Sequence, residues 1–421
     1  MKENRATALR DAIQFLPLLV FYVIIILIAS ENAFGGDEKI YVQFALNLSH
    51  GYYFQKGPVY LWCGPGYPLV LLPFVLLNLP WMAAKLINAL FLYMTIYYFY
   101  RTLCLYIQEK PAFILSCIMG VYPPFFRLIH ILYTETLATF LIVGFMFHFC
   151  KYHQRGQKWN RHLLLASFYL GYLALTKIFF GYVILAGLIF YLILYALKRN
   201  VALRQVSIIY VLALLFCTPY LTYTYSLAGK IFYWSNSGGM TLYWMSSPHR
   251  HDLGDWHSTM DVWETPELYE NHGEFFHKLE ALNWIQRDEE FKKTAIENIL
   301  KHPQKYGYNW IANIGRLLFS CPFSYTPQKL STFFYLIPNM FIVVLSLLCI
   351  YPSLLRRKNI PFEIGSLLAF VFISFGGSSL LSAYARQFQL LVPMISLWII
   401  FTLFRILKIE ITTPNRSISR N

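Results

Sequence analysis

Charge is scarce in this 421-residue chain: Asp, Glu, Lys and Arg make up 13% of it, and only 21 residues are acidic. A soluble domain carries about twice that charged fraction, so an ordinary water-soluble globule is excluded. Cysteine is present but unorganised. None of Cys63, Cys104, Cys117, Cys150, Cys217, Cys321 and Cys349 forms a C-x-x-C or C-x-x-H pattern, which argues against a disulfide framework or a zinc site. Long internal repeats, low-complexity tracts and heptads are missing too, so solenoids and coiled coils drop out. No A-x-A-like small-residue site follows the apolar run 13–30, and the run is read as an uncleaved anchor instead of a signal peptide.

Apolar and aromatic residues take the place of charge, at 57% and 19%, with a mean hydropathy of +0.46. Several runs approach the roughly 20 residues that cross a bilayer as a helix. The abundant Tyr and Trp suit side chains that sit at the headgroup level with one end wet. The net charge of +14 raises nucleic acid as a partner, but the placement of the charge argues against it. Lys2, Arg5, Arg10, Arg101, Lys110, Lys151, Arg155, Lys158, Arg161, Lys198, Arg199, Arg204, Arg356, Arg357, Lys358, Arg405, Lys408, Arg416 and Arg420 fall in tails and short loops at alternate ends of the apolar spans. That is the positive-inside pattern.

With charge fixing sidedness, spans are expected near 13–30, 81–100, 111–127, 134–150, 162–178, 179–197, 205–226, 333–352, 362–381 and 388–407. The fold class is an all-α polytopic membrane protein of about ten transmembrane helices, both termini cytoplasmic. The run Leu69–Leu79 is bracketed by Pro68 and Pro80 and is short for a span, so it reads as a re-entrant or juxtamembrane helix. An N-terminal membrane module over 1–227 holds a first external loop at 31–80. An external loop region covers 228–332, and C-terminal spans with a cytoplasmic tail fill 333–421.

The first loop carries a carboxylate pair, Asp37-Glu38, just outside the first span, where charge needs a use or a partner. Asp37, Ile40, Tyr41, Phe44 and Leu48 share one face of a short surface helix that Gly51 ends. The turn Gly64-Pro65-Gly66-Tyr67-Pro68 follows. The second region is long enough for a small cap but is expected to lack a core of its own. It includes amphipathic helices near 288–301 and 304–318, the second an interfacial helix with Tyr306, Trp310, Ile314 and Leu317 on one side. His249-Arg250-His251-Asp252 with Asp255 and His257 matches no standard metal-ligand spacing and reads as a polar loop. The sequons at Asn47 and Asn415 are chance-length matches.

In order along the chain, Asp37-Glu38 with Tyr41, Leu46-Asn47-Leu48-Ser49-His50-Gly51, Gly64-Pro65-Gly66-Tyr67-Pro68, Tyr133-Thr134-Glu135-Thr136-Leu137, Leu175-Thr176-Lys177, Asp288–Tyr306 and Tyr384-Ala385-Arg386 before Pro393 resemble the GT-C superfamily of membrane glycosyltransferases. The likeness is to its bacterial branch of protein-mannosyltransferase, aminoarabinose-transferase and galacturonosyltransferase-like enzymes. It implies a polyprenyl-phosphate-linked sugar donor, a glycan, lipid or protein acceptor in the cell envelope, and a site on the outer face of the bacterial inner membrane. Some relatives carry Arg three residues after the first Asp, where this chain has Ile40, so a phosphate contact made there must come from elsewhere. Some branches use a divalent metal with acidic ligands; this sequence makes no clear demand for one.

An inverting transfer needs one base to take the acceptor hydroxyl's proton, while cations absorb the charge of the leaving phosphate. Asp37 is the expected base; the plain alternative is that it caps the surface helix. Glu38 points about 100° away, toward an acceptor, a divalent ion or solvent. Glu135, in the first turn of its span, serves either the helix dipole or the orientation of an acceptor or a basic partner. For the phosphate, Arg386 ranks first, then Lys177, with Arg127, His130 and Lys85 behind; snorkelling explains any one of them singly. Two other functions compete. One is a transporter or flippase of lipid-linked saccharides, which would favour midplane polar groups and repeats. The other is a non-catalytic membrane assembly protein.

Overall fold

The computed structural model describes residues 5–31, 33–54, 59–154 and 160–409. Lys2, Arg155, Lys158, Arg416, Arg420 and the sequon at Asn415 lie outside the described residues. Among the described residues there is no strand. Helices α1 (Arg5–Ile13) and α2 (Leu16–Ala29) lead to α3 (Glu38–Ser49) and α4 (Gly66–Leu76). Next come α5 (Trp81–Leu103), α6 (Glu109–Gly120), α7 (Pro123–Ile129), α8 (Thr134–Gln154), α9 (Arg161–Thr176), α10 (Phe179–Lys198), α11 (Val201–Phe216) and α12 (Thr218–Ala228). The 228–332 region contributes α13 (Gly238–Met245), α14 (Thr259–Glu264), α15 (Pro266–Glu280), α16 (Trp284–Lys301) and α17 (Pro303–Phe319). The chain ends in α18 (Phe333–Leu355), α19 (Phe362–Ser379), α20 (Ala385–Phe388) and α21 (Val392–Phe401), the last continued by a π-helical turn over Thr402–Ile406.

Helices stand at all ten expected span positions, but they are not equivalent. Five stretches are long and apolar enough to cross a membrane unaided: Leu9–Ala29, Trp81–Leu103, Phe179–Lys198, Leu330–Leu355 and Phe362–Ser379. The count reaches seven if each of two bent pairs is one span, α6 with α7 (50°) and α11 with α12 (51°). Pro123 and Pro219 stand in the first turns after the breaks, where proline starts a helix and removes a backbone donor from the preceding one. The three remaining positions hold α8, α9 and α21. Of these α8 is enclosed along nearly its whole length, from Thr134 to Tyr152. A helix surrounded by protein can carry Thr, Glu and His because neighbours supply partners; a peripheral helix has only lipid. The periphery accordingly shows large exposed apolar residues such as Ile28, Leu197, Phe341, Leu348 and Phe372, a surface that fits lipid and not water. The protein is an integral membrane protein.

The short apolar helix α4 spans 11 residues, about 16 Å at helical rise, half a bilayer core. It packs against α3 and α9. The surface helix α3 ends at His50, with Gly51 at φ +82, as the glycine predicts.

The 228–332 region departs from expectation by having its own core. Met240, Tyr243, Trp244, Val262, Leu268, Phe276, Leu279, Phe291 and Ala295 form a buried cluster separate from the main one. Aromatic side chains supply most of that volume, which lets a small region bury enough area to hold together. The His249–His257 stretch is the expected polar loop, with its two carboxylates buried. Asp252 is buried and accepts from His272 Nε2 at 2.9 Å and from the Ser247 and Tyr325 hydroxyls. Asp255 accepts from the Ser324 amide at 3.0 Å. The partner His272 lies 20 residues downstream of Asp252, beyond any local spacing rule.

Helix α17 departs from its expected faces. Its buried side includes Asn309, Asn313 and Arg316, while Tyr308, Trp310 and Ile311 are exposed. Arg316 donates to the carbonyls of Leu253 (2.9 Å) and Pro322 (3.2 Å). Asn313 donates to the Ser379 and Leu381 carbonyls at 2.8 and 2.6 Å and accepts from the Ala383 amide at 3.1 Å. The 379–383 turn, which has no regular ladder, gets backbone hydrogen bonds from Asn313, and it leads into α20, which holds Arg386.

Candidate functional site

The site starts at the Gly35-Gly36 turn. Gly36 has φ +50, and a Cβ there would lie 2.5 Å from Tyr133 Oη, so both backbone conformation and space demand glycine. Glu38 is 3% exposed. Its carboxylate accepts from the Gly35 amide at 3.0 Å and the Leu132 amide at 2.8 Å. It is therefore a strut between the first loop and the segment before α8, not an acceptor ligand, an ion ligand or a solvated charge. A buried carboxylate is tolerable there because both its oxygens receive backbone N–H groups. Asp37 stands at the first residue before α3 but makes no side-chain capping bond. Its Oδ2 accepts instead from Arg386 Nη1 at 3.0 Å.

The Gly64–Pro68 turn brings a second strand of backbone into contact. A Cβ at Gly64 would lie 2.1 Å from the Leu175 carbonyl oxygen, and one at Gly66 2.5 Å from Thr176 Oγ1. Only glycine lets these backbones touch, and Tyr172 Oη fastens them by donating to the Gly66 carbonyl at 2.8 Å. Tyr67 is fully buried and meets Tyr41 edge-on at 5.4 Å. The contact fixes the C-terminal end of α9, so Lys177 Nζ reaches Glu135 Oε1 at 2.8 Å. Glu135, 1% exposed, forms an ion pair with Arg386 Nε through the same oxygen at 3.5 Å. It stands in the first turn of α8 and also pairs with both basic side chains.

Arg386 is the centre of this arrangement. Its guanidinium lies over the rings of Tyr133 at 5.4 Å and Tyr384 at 5.3 Å, a cation–π pair of contacts. Burial alone would weaken its hold on the proton; the Glu135 and Asp37 carboxylates outweigh that and hold its pKa raised. Asp37, Lys177 and Arg386 face a cavity of about 670 Å³, within the range of small-molecule sites. Trp62, Trp256, Tyr384, Ile178, Phe179 and Leu390 also line it. Cys63 also lines it, but burial and then the neighbouring Asp37 push its thiol up to about 12, so it stays a thiol and no nucleophile.

Arg127 also lines the cavity, over the Tyr335 ring at 5.4 Å and 3.4 Å from the Ser331 carbonyl oxygen. It has no carboxylate partner among the described residues. Two expected cations are elsewhere. Lys85 is 3% exposed and donates to the Glu31 carbonyl at 2.8 Å, tying the segment just after α2 to α5. His130 does not line the cavity; its carbonyl accepts from Ser30 Oγ at 3.2 Å. Both satisfy or anchor backbone at the top of the bundle, so a place at the outer end of a span does not suffice to reach the site. Sequence reasoning gave no role to Lys329, whose exposed side chain lines the cavity from the 320–332 connection. The ring pair Tyr133 and Tyr384 was also without a role, although the spacings Tyr-x-Glu at 133–135 and Tyr-x-Arg at 384–386 carry a signal. Among the described residues no group of three His, Cys, Asp or Glu is arranged to hold a metal ion.

These residues define an all-helical integral membrane protein with an acid–base and cationic cavity at one end of its helices. No protein-family profile matches the chain, and no curated protein is similar to it. Among solved structures it is similar to ArnT from Cupriavidus metallidurans bound to undecaprenyl phosphate. The TM-score is 0.41 and the identity 13%, over 95% of this chain and 78% of that one.

Proposed function

We propose that the protein is an inverting membrane glycosyltransferase that moves a sugar from a polyprenyl-phosphate donor to a glycan, lipid or protein acceptor on the external face of the bacterial inner membrane. The observation that carries this reading is a carboxylate, Asp37, opening onto the same 670 Å³ cavity as Arg386, Lys177 and Arg127. The order of motifs resembling GT-C enzymes supports it. In the transfer, the acceptor oxygen forms a bond to the anomeric carbon as the bond from that carbon to the phosphate oxygen breaks. Asp37 takes the acceptor's proton, and the polyprenyl phosphate leaves with the electron pair. The leaving group needs no acid, only positive charge, which Arg386, Lys177 and Arg127 supply. The apolar wall at Ile178, Phe179 and Leu390 suits the first isoprene units, and the Trp62 and Trp256 rings suit the sugar face.

The direct test is mass spectrometry of envelope glycolipids, polysaccharides and glycoproteins from cells with and without the chain. A sugar residue absent without the protein and restored by it identifies donor and acceptor together. A product restored equally by Asp37→Asn would contradict the enzyme reading and favour an assembly role.

A further inference from the structure

The cavity is charged in an uneven way. Lys177 and Arg386 both have carboxylate partners, Glu135 and Asp37. Arg127 and Lys329 have none among the described residues. A phosphate entering the cavity meets two uncompensated cations, and the guanidinium beside the proposed base is already occupied.

Arg386 is held in a way that makes its outer contact exchangeable. Nε faces Glu135 Oε1 at 3.5 Å, and the rings of Tyr133 and Tyr384 flank the guanidinium at 5.4 and 5.3 Å. Only Nη1 is spent on Asp37. A guanidinium presents five N–H groups in a fixed fork, so the outer edge can change partners while the inner edge and both faces stay fixed. Asp37 is correspondingly loosely tied. It makes no capping bond, its side chain is 31% exposed, and Arg386 is its sole side-chain partner among the described residues.

We infer that Asp37 and the donor phosphate compete for the outer edge of Arg386: the Asp37–Arg386 ion pair closes the empty site, and phosphate binding exchanges it, freeing both carboxylate oxygens for the acceptor hydroxyl. This rests on the proposed lipid-phosphate site and adds an order to it. The base is released when the donor is in place, and an acceptor arriving first finds it engaged.

Binding of a polyprenyl phosphate to the purified full-length protein in lipid nanodiscs tests this, with the uncharged polyprenol as the headgroup control. Removing the competitor, in Asp37→Asn and independently in Asp37→Ser, is expected to tighten phosphate binding about tenfold, the worth of one hydrogen bond to a charged group. The gain is expected to vanish in the Arg386→Gln background. A merely repulsive Asp37 charge would give the same gain with Arg386 present or absent, and that result overturns the exchange. Unchanged or weaker binding in both Asp37 variants overturns it as well. If no protein, wild type included, prefers the phosphate to the polyprenol, the lipid-phosphate reading itself fails, and the exchange with it.

Discussion

Lys177 and Glu135 form an ion pair at 2.8 Å that joins the end of α9 to the start of α8, with Arg386 sharing the same carboxylate oxygen. Two cations on one buried carboxylate make Glu135 the residue whose loss leaves the most charge uncompensated. Glu135→Ala is expected to destabilise the protein by about 3 kcal/mol, the cost of breaking a buried pair from one side, and to abolish transfer. Thermal unfolding in detergent and a transfer assay check this. A variant as stable as the wild type would mean that solvent already compensates Lys177 and Arg386.

Glu38 gives a second test, because its structural place differs from its sequence reading. Glu38→Gln keeps one acceptor oxygen but turns an NH2 group toward a backbone N–H. The loss is expected at about 1–3 kcal/mol, the cost of a buried donor left unsatisfied. A solvated or ligand-binding carboxylate would leave the unfolding temperature unchanged.

Gly36→Ala is expected to lower transfer much more than stability. The left-handed backbone costs an alanine about 1–2 kcal/mol, and its Cβ would meet Tyr133 Oη at 2.5 Å. Relief of that clash moves Asp37 or the ring that flanks Arg386, and an ångström of misplacement is enough to cost about 100-fold in rate. Wild-type kcat/KM in this variant would show that the turn does not set the position of Asp37.

How much of this was legible in the chain follows from the range of each signal. The helices at the expected positions and the Gly51 stop depend on local pattern and survive in the structure, although only five to seven of those helices are long and apolar enough to cross a membrane. Arg386 could be ranked first for phosphate by its place in a short turn, and it does line the cavity. Its pairing with Asp37 spans 349 residues, and no spacing rule reaches that far. Lys85 and His130 failed because a rule for which end of a helix is outermost says nothing of which face looks inward. The polar buried side of α17 was hidden for another reason. Its Tyr, Trp and Ile stripe gave the stronger amphipathic signal, while Asn313 serves the ladderless 379–383 turn and Arg316 the Leu253 and Pro322 carbonyls.

The 228–332 region has its own pH signature. Burial would raise the Asp252 carboxyl, but hydrogen bonding and charge from His272, with the Ser247 and Tyr325 hydroxyls, outweigh that and lower it to about 2. An unfolded Asp titrates near 3.8, so this contribution to stability is complete above about pH 4 and is lost as pH falls through about 2. It amounts to about 2 kcal/mol. Asp252→Asn is expected to be less stable at neutral pH and to flatten the pH dependence between about 4 and 2. Denaturation followed across that window in both proteins checks it; parallel curves would remove Asp252 as the cause.

The central claim is that Asp37 takes the acceptor's proton in a cavity that holds the donor phosphate by other residues. The measurement is turnover of a polyprenyl-phosphate sugar by purified wild type and Asp37→Asn, alongside binding of the donor lipid to each. The account predicts loss of turnover by at least about 100-fold, the lower range for removing a positioned base, with lipid binding retained. Turnover at the wild-type rate by the folded variant would contradict it.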